Sequence, residues 1–309
     1  MAFTTIDPSL TPSVQQNLLI NGGFEIWQRG TSFVDLGNNL YGPDRWKSVR
    51  DTLTTYTISK ETSVTDSGAA ALKCVLTKGS GTYWYMEQSV ENYQEYRGKT
   101  LTVSARVKTN VATGVKIKFG DGVTDSFSSY HTGDNTWQTL SVTKTMDASA
   151  TAVIVRIGFI ASDLQTSTTY FDSAMLVLGS QPATYVARPF AQELALCQRY
   201  CEKSYDVGTN PGTATSTDNE VVIASQNQGT PRMASGIVKF KVTKYSSPTV
   251  TLYSCQDGST GKWTWYTTAG AGIDRTSTTL QLSKHGFNVA QSVTTEAIAI
   301  GQWLAEAEI

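Results

Sequence analysis

The chain has 309 residues, which at roughly 150 residues per domain predicts two domains, and 39% hydrophobic residues suffice for ordinary packed cores. Lys and Arg total 25 against 26 Asp and Glu, and only 17% of the residues are charged. The chain therefore lacks the basic surface with which proteins bind nucleic acids and anionic membranes. Thr and Ser make up roughly a quarter of the sequence, and because Thr, Val and aromatic residues favour strands, the composition predicts an all-β protein.

The first segment, residues 1–17, is polar, contains Pro8 and Pro12 and shows no hydrophobic periodicity. It predicts an extended N-terminal arm. The segment lacks the basic start and apolar stretch of a signal peptide, and no run in the chain reaches the roughly 18 apolar residues of a membrane span. We therefore expect synthesis in the cytoplasm and no membrane partner.

Residues 18–188 show the pattern of many short strands. Residues 101–109 and 114–120 alternate in apolar character, and residues 151–160 form a more apolar strand. Turn signals separate these segments at intervals of about ten residues, which is typical of a sandwich, a jelly roll or a barrel. An acidic turn at 121–125 is predicted to be solvated.

One helix is predicted, over residues 189–206, where Pro189 can open the first turn. Leu194, Cys197, Cys201 and Tyr205 would then lie on one face. That face needs a partner, since isolated helices of this length are marginal in water. The partner is either the neighbouring sandwich or the same helix of further copies in a short coiled-coil seam.

Residues 207–309 predict a loop followed by a smaller β-sandwich. The loop at 207–219 is rich in Gly, Pro, Ser and Thr, and strand patterns resume at 220. Trp263 and Trp265 are two residues apart and share one face of a strand. Three roles are open for this pair: a sugar platform, a subunit interface or part of the core. The interface and the core are the commoner roles for large aromatic side chains.

Catalytic motifs are missing from the sequence. The two histidines, His131 and His285, are far apart, and nucleophile-elbow, zinc-protease and phosphate-loop patterns are lacking. Cys74, Cys197, Cys201 and Cys255 form no metal-binding spacing and are expected to be reduced core residues. We expect a protein that is not an enzyme.

Four blocks in order resemble the family 4/9/22-like carbohydrate-binding modules. They are NLLINGGFEIWQRG with YGPDRW (17–46), WYMEQSVENYQEYRGKTLTVSARVKT (84–109), NTWQTLSVTKTM (135–146) and TTYFDSAMLVLG (168–179). The resemblance implies a jelly roll for residues 18–188. It also implies a structural Ca²⁺ shared by Glu25 and Asp172, for which the alternative is a hydrogen-bonded pair without metal.

A narrower combination adds RPFAQELALCQRYCEKSY (188–205) and the ending QWLAEAEI (302–309). It resembles virion proteins of tailed bacteriophages, of the tail-fibre or decoration type. This implies a structural component of the virion, as a fibre, head-decoration or tail-tip protein. We expect a homotrimer, attached to other virion proteins through the arm at 1–17. The alternatives are a dedicated host-adsorption protein that binds bacterial surface glycans and an accessory binding module of a carbohydrate-active enzyme.

Candidate sugar contacts are Tyr83, Trp84, Tyr85, Gln88 and Trp137. Aromatic faces stack on the apolar faces of sugars, and amide groups fix the hydroxyls. On a strand, Tyr83 and Tyr85 share one face and Trp84 takes the other, so only one of these sets can face outward. The alternative is that the tryptophans belong to the core.

Overall fold

The computed structural model describes residues 15–51, 55–66, 68–160, 164–215, 217, 220–223, 225–226, 232–267, 270, 272–293 and 296–309. Most of the predicted N-terminal arm, residues 1–14, lies outside the described residues. Its last residue, Asn17, is buried and its amide donates to the carbonyl of Ala174 over 2.9 Å, so it belongs to the sandwich. Within the described residues, no helix combines the length and apolar character needed to cross a membrane.

The first unit is built from short antiparallel strands. They are β1 (Ser32–Val34), β2 (Leu40–Tyr41), β3 (Lys47–Arg50), β4 (Thr55–Glu61), β5 (Ala71–Thr77), β6 (Trp84–Ser89), β7 (Thr100–Thr109), β8 (Val115–Gly120), β9 (Asp125–Phe127), β10 (Trp137–Thr145), β11 (Ile154–Phe159) and β12 (Ser167–Leu178). A 3₁₀ turn at Tyr93–Tyr96 precedes β7.

Two six-stranded sheets face each other in the described part of this unit. The first sheet has the order β1-β4-β5-β12-β7-β10, and the second has the order β2-β3-β6-β11-β8-β9. Strand β10 shows why they pack: Leu140 and Val142 are buried in the core between the sheets, and the Thr and Ser residues between them are exposed. The predicted all-β jelly-roll sandwich is confirmed.

The predicted helix is shorter than the sequence pattern indicates. Helix α1 spans Phe190–Gln198, so the prediction that it continues to 206 is wrong. Residues Cys201–Lys203 instead form strand β13, because pairing with a long neighbouring strand satisfies their backbone groups and overrides local helix propensity. Leu194, Cys197, Cys201 and Tyr205 therefore share no helical face, and nine residues are too few for the coiled-coil seam.

The second unit follows the helix. Its strands are β13 (Cys201–Lys203), β14 (Glu220–Ile223), β15 (Ser225–Gln226), β16 (Arg232–Lys239), β17 (Thr249–Tyr253), β18 (Lys262–Thr267), β19 (Gly272–Thr276), β20 (Thr278–Ser283), β21 (Gly286–Val293) and β22 (Glu296–Glu306). Strand β22 pairs with β13, β14, β17 and β18, and the other sheet has the order β15-β16-β21-β20. The predicted smaller β-sandwich is confirmed.

The two neighbouring tryptophans belong to the core of this second unit. Trp263 and Trp265 are both fully buried and pack in one cluster with Phe287 and Trp303. Each indole N–H has a partner, the carbonyl of Gln302 for Trp263 and the hydroxyl of Ser277 for Trp265. Of the three roles that the sequence left open, the structure selects the core.

A charge cluster with two buried guanidinium groups joins the two units, and we call it the joint: Arg29 and Arg45 of the first unit with Glu306 and Glu308 of the second. Arg29 lies 2.6 Å from Glu306 and 2.9 Å from Glu308, and Arg45 binds the other oxygen of Glu308. The Arg45 side chain is only 2% exposed and that of Glu308 9%. Asp44 lies 3.6 Å from Arg29. Burial raises the pKa of the Asp44 carboxyl group to about 6, although the Arg29 guanidinium acts to lower it.

Hydrogen bonds of Gln28 and a ring contact of Arg45 extend the joint on both sides. The Gln28 side chain donates to Asp44 and to the carbonyl of Cys201, where α1 leads into β13. The Arg45 guanidinium stacks 3.6 Å from the ring centroid of Tyr200. The segments WQRG, PDRW, CQRYC and AEAEI therefore meet in space although they are far apart in sequence.

We expect Glu308→Gln to lower the free energy of unfolding by about 3 kcal/mol, because it leaves two buried guanidinium groups with fewer compensating charges. Urea unfolding of the purified protein measures this loss. The matched control is Glu61→Gln, whose 3.7 Å pair with Lys73 is partly solvated and should cost less than about 1 kcal/mol. Equal losses in the two variants would contradict the assignment of the joint.

Candidate functional site

The outer side of the second sheet carries a group of aromatic and cationic side chains, which we call the tyrosine face: Tyr83, Tyr85, Lys116, Phe127, Tyr130 and Arg156. Strand alternation sends Tyr85, Lys116 and Arg156 outward, since their neighbours in β6, β8 and β11 are core residues. The rings of Tyr83 and Tyr85 stack with centroids 5.8 Å apart. Phe127 is 49% exposed and Tyr130 37%.

A gap lies between the two aromatic groups of the tyrosine face. Gly158 of β11 pairs with Tyr85 on one side and with Lys116 on the other, and it has no side chain to fill the row. A Cβ at Gly158, whose φ is +144°, would lie 2.6 Å from the carbonyl oxygen of Trp84, so the backbone admits only glycine. The flanking strands β6 and β8 are about 10 Å apart, and we call this row without a side chain the trough.

Ion pairs fix the polar groups of the tyrosine face. Glu87 binds Arg156 over 2.6 Å and Lys47 over 3.0 Å. The same Arg156 guanidinium lies 5.5 Å from the ring centroid of Tyr85. Burial raises the pKa of the Tyr85 hydroxyl, and Arg156 opposes that shift. The arginine thus connects the stacked tyrosines to the ordered carboxylate.

Across the trough, a second cation lies against aromatic rings. The ammonium of Lys116 lies 4.4 Å from the ring centroid of Tyr130 and 5.2 Å from that of Phe127. It also donates to the Tyr130 hydroxyl over 2.7 Å. Lys118 lies near the same Phe127 ring and pairs with Asp125 over 2.8 Å. Both walls therefore combine an aromatic surface with hydrogen-bonding groups.

A cavity of about 280 Å³ opens at one end of the tyrosine face, lined in part by Lys118, Asp125, Ile154 and Arg156. Its remaining wall is the loop at 122–124, which Asp121 orders.

Asp121 is fully buried, so the prediction of a solvated turn at 121–125 is wrong at this residue. Burial acts to raise its pKa, but backbone N–H groups at 123, 124 and 147 together with Lys144 outweigh that effect and hold it at about 2.

The five predicted sugar contacts are not brought together. Tyr83 and Tyr85 lie side by side on the outer face, as the strand alternation predicts. Trp84 is fully buried and packs on Tyr56 and Phe171, so it is a core residue and not a surface contact. Gln88 is 1% exposed, and its amide forms two 2.8 Å hydrogen bonds with the backbone of residue 20. Trp137 is in β10 of the other sheet.

Sequence reasoning missed Arg156 and Gly158, which are central to the tyrosine face. Both lie in the run 151–160, whose apolar character predicts a strand that is more buried than its neighbours. The signal was present, since Arg156 and Gly158 are two residues apart and interrupt an otherwise hydrophobic alternation. Lys116, Phe127 and Tyr130 carry no such signal, because only strand pairing places them opposite the tyrosines.

The two predicted metal ligands do lie near each other. A carboxylate oxygen of Asp172 lies 3.4 Å and one of Glu25 lies 3.8 Å from the position that a Cβ would take on Gly68. The Asp172 carboxylate accepts hydrogen bonds from the backbone N–H of Asp66 over 2.9 Å and from the Ser173 hydroxyl over 3.1 Å.

The surroundings of these residues favour the alternative in which the two carboxylates hold no metal. Calcium takes six to eight oxygen ligands, and the described residues contain no group of three or more metal-ligating His, Cys, Asp or Glu side chains. The ammonium of Lys60 donates to the Glu25 carbonyl over 2.7 Å. It occupies an oxygen that a calcium shell would use and supplies a positive charge beside Glu25.

Comparisons with known proteins give structural similarity only. No protein-family model matches the chain, and no curated protein matches it. Among solved structures, the enzymatically active domain of tailspike protein 4 of bacteriophage CBA120 aligns with 10% identity and a TM-score of 0.38. The alignment covers 52% of this chain and 21% of that one, so this chain spans about a fifth of the tailspike chain's length.

Two further structures align over their whole length. The CBM22-1 xylan-binding domain of Paenibacillus barcinonensis Xyn10C aligns with 10% identity and a TM-score of 0.34, over 56% of this chain and 100% of that one. An apo cyclase from Fischerella sp. aligns with 13% identity and a TM-score of 0.39, over 56% and 100%. The all-β assignment rests on the strand pairing of this chain.

We expect removal of divalent cations to leave the thermal midpoint unchanged, because Lys60 already provides the positive charge at Glu25. Thermal unfolding in EDTA, compared with unfolding in millimolar calcium chloride, measures this. A midpoint that rises with calcium in the native protein, but not in Glu25→Gln or Asp172→Asn, would contradict this expectation and identify both carboxylates as ligands.

Proposed function

We propose that the first unit is a carbohydrate-binding module whose ligand lies in the trough of the tyrosine face. The observation that carries the proposal is the pair of aromatic walls, the stacked Tyr83 and Tyr85 on one side and Phe127 with Tyr130 on the other. Sugar rings present apolar C–H faces to such walls. The open row at Gly158 leaves space for a sugar chain that runs between them.

The polar groups of the trough suit the recognition of hydroxyls. Arg156 and Lys118 each donate to a carboxylate that is itself ordered, so donors and acceptors are fixed before a ligand arrives. The carboxylates, Glu87 and Asp125, are both engaged in ion pairs. We therefore propose binding without catalysis, since a hydrolytic pair needs one carboxyl group kept protonated as an acid.

Alanine variants of the two tyrosines test this proposal. We expect the wild-type protein to be retained on an array of bacterial surface glycans, and Tyr85→Ala to weaken the interaction with the retained glycan by about tenfold, which is about 1.4 kcal/mol. Isothermal titration calorimetry measures the affinity. Tyr83→Ala should behave in the same way. The matched control is Phe190→Ala, which removes an aromatic ring that is 47% exposed on α1.

Two results would overturn the proposal. One is an array on which the wild-type protein retains no glycan. The other is a glycan whose affinity is the same for wild type, Tyr85→Ala and Tyr83→Ala while all three unfold at the same temperature.

For the biological setting, the proposal is a structural component of a tailed-phage virion, whose module contacts glycans of the host surface. Its support is the resemblance of the NGGFEIWQRG, YGPDRW and RPFAQELALCQRYCEKSY segments to such proteins. A closed homo-oligomer, a trimer, suits that setting. The alternatives are a dedicated host-adsorption protein and an accessory module of a carbohydrate-active enzyme.

Removal of residues 1–17 tests the virion role. We expect light scattering to give a mass of about three chains both for the wild type, whose chain is 33.5 kDa, and for the truncated protein, and we expect the truncated protein to be lost from purified particles. Because Asn17 is anchored to Ala174, a second variant that removes only residues 1–14 controls for damage to the sandwich. Particles that still contain the shorter proteins, or a monomeric wild type, would contradict the corresponding part of the proposal.

A further inference from the structure

The opposite side of the sandwich carries a second aromatic group, which we call the tryptophan row: Trp137, Lys108, Tyr170 and Lys73. Strand register places these four residues in line across β10, β7, β12 and β5. Neighbouring strands are about 4.8 Å apart, so the row extends over about 15 Å of the first sheet.

The tryptophan row faces outward. All four residues are partly exposed, whereas the residues that follow or precede them in the strands, such as Val107, Phe171 and Cys74, are core residues. The rings of Trp137 and Tyr170 come together with centroids 6.4 Å apart, although one strand separates them. They form a continuous aromatic surface above β7, the strand of Lys108.

The charges of this face are not balanced within the described residues. Lys73 pairs with Glu61 at 3.7 Å and lies 5.8 Å from the ring centroid of Tyr170. For Lys108, the described part of the chain contains no carboxylate within ion-pairing distance. One cation therefore lies beside the aromatic surface without a counter-charge from the described residues.

A cavity with polar and apolar lining continues the face beyond the tryptophan row. It has a volume of about 410 Å³ and is walled by Asp66, Ser104, Arg106, Thr139 and Tyr185, among others. Arg106 precedes Lys108 by two residues on the outer side of β7, and it binds Asp66 through two nitrogens, over 2.8 and 2.9 Å. Its remaining nitrogen donates to the Thr139 hydroxyl over 3.0 Å. The cavity thus has an ordered, overall neutral wall with hydroxyl groups.

We propose that this face is a second glycan-binding site, specific for an acidic sugar such as a hexuronate. The sugar ring would stack on Trp137 and Tyr170, and its carboxylate would pair with Lys108. The neighbouring residue along the sugar chain would enter the cavity, where Thr139 and Ser104 offer hydroxyls. The site is separated from the tyrosine face by the whole core, so it functions independently of the first site.

Lys108, which has no carboxylate partner among the described residues, distinguishes the ligand class. A neutral sugar would gain the stacking but would leave Lys108 without a partner, whereas a carboxylate supplies the missing charge at the same place. Binding through one partly exposed charge pair is weakened by salt. The site should therefore prefer acidic to neutral sugars, and the preference should fall as ionic strength rises.

Tetragalacturonate and its fully methyl-esterified form are suitable probes, because esterification removes the charge of each carboxyl group and adds only a methyl group. We expect calorimetry at low salt to give at least tenfold tighter binding of the acid. Trp137→Ala should weaken the binding of the acid at least tenfold. Lys108→Gln should reduce the preference for the acid over the ester to about one. Lys78→Gln, which removes an exposed lysine elsewhere, is the matched charge control and should behave as wild type.

Several outcomes would overturn this proposal. They are a lack of binding of the acid at millimolar concentration, equal affinity for acid and ester, or acid binding that survives both Trp137→Ala and Lys108→Gln. Loss of acid binding in Tyr85→Ala but not in Trp137→Ala would assign the ligand to the tyrosine face, overturning this site while leaving the first proposal intact. Since Lys108 is a surface residue, its variant keeps the test valid even if Trp137→Ala fails to fold.

Discussion

The joint is the interaction on which the arrangement of the two units depends. Two buried guanidinium groups, Arg29 and Arg45, need carboxylate partners, because an unpaired buried charge is strongly destabilising. Of those partners, Glu306 is the last residue of β22 and Glu308 follows it by two residues. Strand β22 pairs with β13, β14, β17 and β18. The charge requirement of the first unit therefore anchors the central strand of the second.

The sequence segments that carry the phage-protein resemblance are structural in this molecule. Gln28, Asp44 and Cys201, from three of those segments, meet in one buried hydrogen-bond network. The two candidate binding faces come from other parts of the chain, mostly from outward positions of ordinary strands. The resemblance therefore concerns how the units are joined, and the proposed recognition depends on side chains that such motifs do not include.

Both outer faces of the sandwich combine aromatic rings with cations, but their electrostatics differ. On the tyrosine face, Arg156, Lys47 and Lys118 are paired with carboxylates. On the opposite face, Lys108 lies beside Trp137 without such a partner among the described residues. The overall charge of the chain is low, so few other charges compete for an acidic ligand with the Lys108 ammonium, which has no carboxylate partner among the described residues.

The sequence by itself determined the fold class and the facing of individual strands. Alternation along the strand was enough to separate Tyr83 and Tyr85 from Trp84, because side chains of a strand point to opposite sides with a period of two. It could not end the helix at Gln198, since the following residues are drawn into pairing with β22, a strand about 100 residues away. It also could not bring Trp137 to Tyr170, or Arg29 to Glu308. Those contacts depend on strand order and on the packing of the two units, which local periodicity does not encode.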